Sequence, residues 1–373
     1  MHDPRLTRLA DLLVNFSVKL QTGEHLLIET IDIPDAMTIE LIRAAHRVGG
    51  HAHVATRSSR VLRAIDEAGD DACFEVWGAY DVERMKRMDA YIALRGSGNA
   101  NENAGIDPDR MHAKGKHYMR PVHFTERINN TKWCVLRWPS SSMAQLSGVS
   151  TEAFEDFYFD VCTLDYAKMN DAATHLVARM NATDQVHILG PGDTDLTFSI
   201  KDIPAVPCCG EMNIPDGECF TAPVKDSING VMHYNTPTIY HGHRFENVRL
   251  VFKDGKIVEA TADRGGEHLD AIFDTDEGGR YVGEFAIGFN PHVKEAMMDI
   301  LFDEKIDGSL HFTPGNAYAE AFNGNTSDIH WDMVLIQRPE YGGGTIAFDG
   351  EVIRKDGRFV VDDLMGLNPE NLT

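Results

Sequence analysis

The feature that most constrains the fold is a change of sequence pattern between the two halves of the chain. After about residue 183, three Asp-Gly pairs lie between short runs rich in β-branched and aromatic residues: Asp254-Gly255, Asp349-Gly350 and Asp356-Gly357. An Asp-Gly pair between two such runs is the strongest short-range sign of a β-hairpin, because both residues tolerate the positive φ angles of a tight turn. The second half is therefore predicted to consist mainly of antiparallel strands.

The first half instead alternates helical and strand-like stretches. Apolar residues recur at three- and four-residue steps in helical stretches at 6–16, 34–48 and 151–180. Short apolar runs that predict strands lie at 26–28, 53–55 and 90–94. Such alternation favours a parallel sheet covered by helices. We therefore expect an α/β N-terminal domain, residues 1–183, which ends in a long helix, and a β-rich α+β C-terminal domain, residues 184–373.

The charge balance limits the possible partners. The chain carries 58 acidic and 35 basic residues, a formal net charge of −23 at pH 7. A field of this sign repels nucleic acid and anionic lipid surfaces, so neither is expected as a partner. The six cysteines are scattered without a Cys-x-x-Cys pair, and the N-terminal residues do not resemble a signal peptide. These features predict reduced thiols and a location in the cytoplasm.

A histidine and an aspartate lie two residues apart in an otherwise apolar run. In the segment 329–334, His330 and Asp332 alternate with Ile329, Trp331 and Met333. Residues i and i+2 of a β-strand share a face, so a strand here would project the imidazole and the carboxylate together. Imidazole and carboxylate are common ligands of divalent metals. This pair is therefore a candidate for one side of a metal site.

Four further polar residues lie in similar surroundings. His311 is in the strand-like run 308–312, and Tyr318 follows it. Glu218 and Glu284 each follow a glycine that permits a turn or a close backbone approach. A polar side chain within an apolar strand is costly unless it is paired. Together with His330 and Asp332, these residues provide a plausible ligand set for two divalent ions.

Three other motifs have simpler explanations. The His241-Gly242-His243 pattern lies in a polar stretch and is expected to form a solvated turn. The Gly96-Ser97-Gly98 sequence lacks the third glycine of a dinucleotide-binding loop. The serines at 140–142 are outside the Gly-x-Ser-x-Gly turn of serine hydrolases. None of these motifs predicts a catalytic or cofactor site.

Several segments together resemble the M29 family of metal-dependent aminopeptidases, and the resemblance covers nearly the whole chain. The matching segments are Asp3-Pro4-Arg5-Leu6, Phe154-Glu155-Asp156-Phe157-Tyr158, Asn213-Ile214-Pro215-Asp216-Gly217-Glu218, Gly283-Glu284 with Asn290, and Ser327-Asp328-Ile329-His330-Trp331-Asp332. The resemblance implies a homodimer whose β-rich C-terminal domain is catalytic. It also implies removal of the N-terminal residue from small peptides. The family's metal ligands fall on Glu218, Glu284, His311, Tyr318, His330 and Asp332.

The expected chemistry is hydrolysis by water activated between two divalent ions, with zinc, cobalt or manganese as candidates. Glu218 or Glu284 is expected to move the proton, and Tyr318 is expected to act as a ligand or as an oxyanion donor. One alternative is a mononuclear iron(II) centre of His311, His330 and Asp332, as in ring-cleaving dioxygenases that act on hydroxypyridines and have a similar fold. Another is a dimer that binds peptides or metal without turnover.

Overall fold

The computed structural model describes residues 3–373 of the 373-residue chain. Its α-helices are α1 (Pro4–Leu12), α2 (Asp35–Arg47), α3 (Ser59–Ala68), α4 (Asp71–Met85), α5 (Pro108–Lys114), α6 (Ile128–Asn130), α7 (Ser141–Leu146), α8 (Thr151–Cys162), α9 (Tyr166–Ala182), α10 (Gly266–Phe273), α11 (Ile300–Asp303) and α12 (Pro369–Leu372). Wider π-helical turns continue α1 (Leu13–Ser17) and α5 (Gly115–Arg127). Short 3₁₀ turns lie at Ala319–Ala321, Pro339–Tyr341 and Asp362–Leu367.

The strands fall into two groups along the chain. Those before residue 215 are β1 (His25–Ile31), β2 (His51–Arg57), β3 (Ala90–Arg95), β4 (Lys132–Arg137), β5 (Gln185–Leu189), β6 (Asp195–Ser199), β7 (Val206–Cys208) and β8 (Asn213–Ile214). Those after it are β9 (Glu218–Thr221), β10 (Asn229–His233), β11 (Thr238–Tyr240), β12 (His243–Phe245), β13 (Arg249–Lys253), β14 (Lys256–Thr261), β15 (Val282–Gly288), β16 (Ser309–Pro314), β17 (Val334–Ile336), β18 (Thr345–Phe348), β19 (Glu351–Lys355) and β20 (Arg358–Phe359).

The chain forms two compact units. The first contains the chain up to Thr163 together with Gly210–Ile214, and the second contains Leu164–Cys209 and Pro215–Thr373. Helix α9, which the sequence pattern places before an expected boundary at residue 183, is grouped with the second unit. Its buried side includes Met169 and Leu176. Whether residues 1–183 fold as an independent domain stays a prediction.

The first unit contains the expected parallel sheet. Its strand order is β2-β1-β3-β4-β8, and every neighbouring pair is parallel. The central strands β1 and β3 are buried almost throughout, which explains the uninterrupted apolar runs at 26–28 and 90–94. Helix α2 begins at Asp35, one residue after the start expected at Pro34, which is the extended N-cap. The α/β class of the N-terminal part is thus confirmed.

The prediction of one continuous helix from Thr151 to Met180 is wrong. The chain leaves the helix at Thr163, and α9 begins again at Tyr166. Asp165 produces the new start, because its side chain accepts a hydrogen bond from the backbone N–H of Lys168 at 3.0 Å. Periodicity alone did not reveal this interruption, since apolar residues continue on both sides of it.

The second unit is built from antiparallel sheets. One has eight strands in the order β14-β13-β10-β6-β5-β18-β19-β20, another has five in the order β17-β16-β15-β9-β7, and β11 pairs with β12. Each Asp-Gly pair forms the expected hairpin turn, joining β13 to β14, β18 to β19 and β19 to β20. At Asp254-Gly255 the two φ angles are 47° and 81°, the positive values that a type I′ turn requires.

Aromatic side chains join the two large sheets. The ring of Phe198 on β6 lies 5.1 Å from that of Phe285 on β15 and 5.0 Å from that of Phe312 on β16. These contacts assign one face of the five-stranded sheet to the core. The opposite face is therefore available for polar side chains from the same strands.

The helices of residues 3–373 do not meet the requirements of a membrane-spanning helix. Among residues 3–373, none combines the length and the apolar character that crossing a membrane requires.

Candidate metal centre

The strands β15 and β16 place a carboxylate and an imidazole together. Phe285 pairs with Phe312 across the two strands, and Ala286 pairs with His311. Because successive side chains alternate between the faces of a sheet, Glu284 and His311 lie on the face opposite the aromatic core. His311 is completely buried, and Glu284 is 3% exposed. The Nε2 atom of His311 is 3.1 Å from Oε1 of Glu284.

Glu218 reaches the same face from β9. It pairs with Gly288 on β15, two residues along the face from Ala286. The preceding Gly217 has a φ angle of 134°, and a β-carbon there would lie 3.0 Å from the side chain of Asn290. Only glycine fits this turn without displacement, so the Gly-Glu step is a requirement of the backbone. Oε2 of Glu218 lies 3.5 Å from Nδ1 of His311.

His330 and Asp332 complete the cluster, but the predicted strand 329–334 is only partly present. His330 forms an isolated bridge with Gly315, and regular pairing begins at Val334. The segment keeps the predicted alternation, since Trp331 is buried against the rings of Tyr240 and Phe273. The two polar side chains therefore still meet.

The cluster is closed by short polar contacts around His330. Its Nε2 atom lies 3.2 Å from Oδ1 of Asp332 and 3.4 Å from Oε2 of Glu284. Its Nδ1 atom is 2.8 Å from the backbone oxygen of Asn316, and because a carbonyl only accepts, Nδ1 donates. Nε2 is then the nitrogen available to a metal when the imidazole is neutral. Thr313 donates a 2.7 Å hydrogen bond to Asp332.

Tyr318 lies beside the cluster. Its ring centroid is 4.6 Å from that of His330 and 5.9 Å from that of Phe220. The residue is 46% exposed, unlike the buried glutamates. All six residues singled out from the sequence are thus brought to one region, whereas the individual role of each stays a prediction.

Electrostatics in the cluster favours added positive charge. Burial lowers the pKa of His311, but the carboxylates of Glu218 and Glu284 outweigh it and raise that pKa to about 10. In His330, Asp332 similarly overcomes burial and raises the pKa to about 10. Burial would raise the pKa of Asp332, yet His330 holds it well below its ordinary value. The carboxylates therefore attract cations into a nearly dry site.

Two buried atoms at the centre of the cluster fit a metal ion. Oε2 of Glu218 and Nδ1 of His311 have no hydrogen-bond partner among the described residues. Leaving such atoms unpaired in a dry interior is costly, and a divalent ion removes the cost. Two triads in this region place their ligand atoms within 4.8 Å of one another, Glu284–His311–Asp332 and Glu218–Glu304–His311. Their nitrogen and oxygen donors suit zinc, cobalt or manganese.

Sequence reasoning missed a buried lysine and two acidic residues beside the cluster. Nζ of Lys305 contacts Oε1 of Glu218, and it lies 3.0 Å from Oε1 of Glu304 and 3.3 Å from Oδ1 of Asp216. Burial raises the pKa of Glu304 to about 8, with Lys305 opposing that effect. In the sequence, 303–307 is a highly charged run that resembles a solvated loop. The one sequence signal for these charged residues was the position of Asp216 two residues before Glu218 in the same motif.

The three motifs that predicted no catalytic or cofactor site have structural roles outside the cluster. His241 and Gly242 form the turn between β11 and β12, where both are exposed. Gly96 follows β3 and passes close to the backbone of Asp32. Ser140 caps α7 through a hydrogen bond to the backbone of Met143.

Comparison with known proteins places this geometry in a family. The family model described as thermophilic metalloprotease (M29) matches residues 2–359. Aminopeptidase T of Thermus thermophilus is 33% identical over 363 residues, which cover 86% of this chain and 87% of that protein.

Solved structures show the same fold. AmpT from Thermus thermophilus superposes with a TM-score of 0.80 at 22% identity, covering 96% of this chain and 99% of the other. A 2,5-dihydroxypyridine dioxygenase from Pseudomonas putida KT2440 shares the fold at a TM-score of 0.63 and 13% identity, covering 96% and 98%. The α/β plus β-rich architecture expected from the sequence is thus confirmed.

The sequence match extends through the strands that carry both glutamates and through the segment that carries His330 and Asp332. A family model of this coverage and a relative 33% identical over most of its length agree with each other and with the fold. This chain belongs to the M29 family of metalloproteases.

Proposed function

We propose that the chain is a metal-dependent aminopeptidase that removes N-terminal residues from small peptides. The observation that carries this proposal is the convergence of Glu218, Glu284 and His311 in one buried cluster within a metalloprotease fold. Beside them, Nε2 of His330 lies 3.2 Å from Oδ1 of Asp332 and 3.4 Å from Oε2 of Glu284, which adds oxygen and nitrogen donors. Such a donor set suits divalent ions rather than an organic cofactor.

Two ions per chain are proposed, with zinc, cobalt or manganese as candidates. Glu284, His311 and Asp332 would hold one, and Glu218 and Glu304 would hold the other with the remaining nitrogen of His311 nearby. His330 and Tyr318 lie next to the first group. When bound, such ions polarise a carbonyl and make water a nucleophile near neutral pH.

The side chains of this chain would bind the substrate and move its proton. A free α-amino group is itself a nitrogen donor, so it can join the donors of the centre and fix the chain end there, which favours cleavage of the first peptide bond. Glu218 or Glu284 would carry the proton from water to the leaving amine, since both are buried within the cluster. The Tyr318 hydroxyl is available as a ligand or as a donor to the developing oxyanion.

The mononuclear iron(II) alternative keeps His311, His330 and Asp332 as its ligands. The position of Glu284 favours the peptidase instead. Its two oxygens lie 3.1 Å from His311 and 3.4 Å from His330, so a fourth donor, the second that is anionic, is part of the same cluster. The negative charge of this additional carboxylate favours a centre with two divalent ions over a centre with one.

A comparison of two tripeptides tests the proposal. The metal-loaded protein is incubated with Leu-Ala-Gly and with its N-acetylated form, and products are followed by mass spectrometry. We expect release of leucine from the free peptide only, because acetylation removes the basic α-amino group that fixes the chain end in the centre. Cleavage of both peptides at equal rates would exclude an aminopeptidase. Oxygen uptake with 2,5-dihydroxypyridine, without peptide cleavage, would establish the dioxygenase.

A pocket next to Asp332 is proposed to receive the side chain of the N-terminal residue. It is a shallow, open depression with an enclosed volume of about 30 Å³. Its wall combines the polar residues Thr236, Thr238, Asp303 and Asp332 with the apolar side chains of Pro237, Ile239, Met298, Ile300 and Val334. Such a wall favours residues of moderate size such as leucine over alanine.

Ile239→Trp is expected to reverse part of this preference. Ile239 is 44% exposed on β11, so the larger ring fits without disturbing the core and blocks the mouth of the pocket. The ratio of kcat/KM for leucine to that for alanine p-nitroanilide should fall about tenfold. Val258→Trp, at a position 54% exposed on β14, is the matched control and should leave the ratio unchanged. An unaltered ratio in Ile239→Trp would assign the side chain of the substrate to another site.

Two further properties are proposed from the family resemblance and the composition. The chain is expected to act as a homodimer, which sedimentation at micromolar concentration checks directly. A cytoplasmic location is supported by the cysteines, since Cys73, Cys134, Cys162, Cys208, Cys209 and Cys219 are all free thiols.

A further inference from the structure

Lys305 is a buried lysine beside the cluster. It is 3% exposed, and its ammonium group contacts the carboxylates of Asp216, Glu218 and Glu304. A buried ammonium group held by three carboxylates is a permanent positive charge of the protein at this position. Two of those carboxylates, Glu218 and Glu304, belong to one of the metal-binding triads.

We propose that Lys305 makes the two metal positions unequal, so that the Glu284–His311–Asp332 triad fills first and the Glu218–Glu304–His311 triad fills only at much higher metal concentration. This inference rests on the proposed metal-dependent function. It concerns the order of binding, which is measurable whether or not the protein cleaves peptides.

The first part of the argument is competition for ligands. Oε1 of Glu218 faces Lys305, whereas Oε2 faces His311. A divalent ion that enters between Glu218 and Glu304 must share both carboxylates with the ammonium group, and it meets a like charge at close range. In a nearly dry site such repulsion is weakly screened. The affinity of this triad is therefore reduced.

The other triad has no such competitor. Among residues 3–373, the ion-pair partners of Glu284 and Asp332 are imidazoles, those of His311 and His330. The remaining contact of Asp332 is the neutral hydroxyl of Thr313. Imidazoles become metal ligands when they lose a proton, whereas an ammonium group stays a competitor.

The second part of the argument is the shared histidine. Nε2 of His311 faces Glu284, and Nδ1 faces Glu218. A neutral imidazole offers one lone pair and keeps a proton on its other nitrogen. If Nε2 binds an ion, Nδ1–H donates to Oε2 of Glu218, which pairs both atoms that otherwise lack a partner. The Glu218–Glu304–His311 triad has then lost its nitrogen donor. The competition by Lys305 and the loss of this donor therefore both weaken metal binding by the same triad.

Metal titration of the apoprotein tests this order. The chelated, dialysed protein is titrated with Zn²⁺ by isothermal calorimetry, and a second sample is desalted and analysed for zinc. For the wild type we expect two steps with dissociation constants that differ at least about 100-fold, and one zinc per chain after desalting. Two equal sites in the wild type would overturn the proposal.

Lys305→Met removes the competing charge and keeps the length of the side chain. We expect the ratio of the two dissociation constants to fall at least about tenfold. Lys305→Arg keeps the charge and should retain the unequal sites. Lys294→Met is the matched control, because Lys294 pairs with Asp307 at 2.7 Å, outside both triads. A folded Lys305→Met protein whose ratio equals that of the wild type would contradict the proposal.

Two controls keep the test decisive. Circular dichroism and thermal melting report whether Lys305→Met folds, and Lys305→Gln replaces it if the apolar side chain is not tolerated. The wild-type titration decides whether the two metal positions are unequal even if neither variant folds. Hydrolysis of leucine p-nitroanilide is measured separately: ordered binding without hydrolysis would reject the aminopeptidase alone, and hydrolysis with two equal sites would reject the role of Lys305 alone.

Discussion

Glu284→Gln is expected to lower kcat/KM for leucine p-nitroanilide by about 10²–10⁴-fold while the protein stays folded. The carboxylate of Glu284 lies 3.1 Å from His311 and 3.4 Å from His330, so it serves the centre as a ligand, as a base or as both. Glutamine has nearly the same shape but neither the charge nor the basicity. Steady-state kinetics, with melting curves for both proteins, measures the effect.

Glu267→Gln is the matched control for this variant. Glu267 is on α10 in the same unit, and its side chain is 73% exposed. Removing its charge should change kcat/KM by less than about twofold, because exposed charges interact weakly. A Glu284→Gln protein with a wild-type rate and an unchanged metal content would show that Glu284 is neither ligand nor base.

Removal of metal is expected to abolish activity completely. Dialysis against a strong chelator should reduce peptide hydrolysis by at least about 100-fold, and Zn²⁺, Co²⁺ or Mn²⁺ should restore it. Mg²⁺ is expected to restore less, because it prefers oxygen ligands, whereas His311 and His330 offer nitrogen. The measurement is the initial rate before and after each addition, with the metal content determined by elemental analysis.

A chelator already saturated with zinc provides the control for this experiment. It should leave the rate unchanged, which separates metal removal from inhibition by the chelator itself. Full activity of a protein shown by elemental analysis to be metal-free would refute metal-dependent hydrolysis. Restoration by Fe²⁺ alone, with oxygen consumption, would favour the centre of two histidines and one carboxylate.

Local sequence patterns predicted the secondary structure correctly wherever one short-range preference dominates. The Asp-Gly pairs predicted three hairpin turns, since few residues adopt two consecutive positive φ angles. The apolar runs of β1 and β3 predicted buried strands of a parallel sheet. The break between α8 and α9 was missed because Asp165 acts through one local hydrogen bond that leaves the apolar periodicity intact.

The candidate site was partly predictable for a similar reason. Alternation along 329–334 indicated that His330 and Asp332 share a side, and this holds although the segment is mostly not regular strand. The convergence of Glu218, Glu284 and His311 depends on the pairing of β9, β15 and β16, which are separated by long stretches of chain. Residue type and surroundings suggested that grouping and the family resemblance agreed with it, whereas local propensity contains no information on strand order.

What the sequence by itself determined is the family, the class of each half and the kind of ligands at the centre, because these follow from residue type and short-range spacing. Only the tertiary structure decided which charges are buried together. The run 303–307 resembles a solvated loop, yet Lys305 is enclosed by its neighbour Glu304 and by Asp216 and Glu218 from a distant part of the chain. Burial and the distances between remote side chains are properties of packing, and packing sets the strength with which a charge acts.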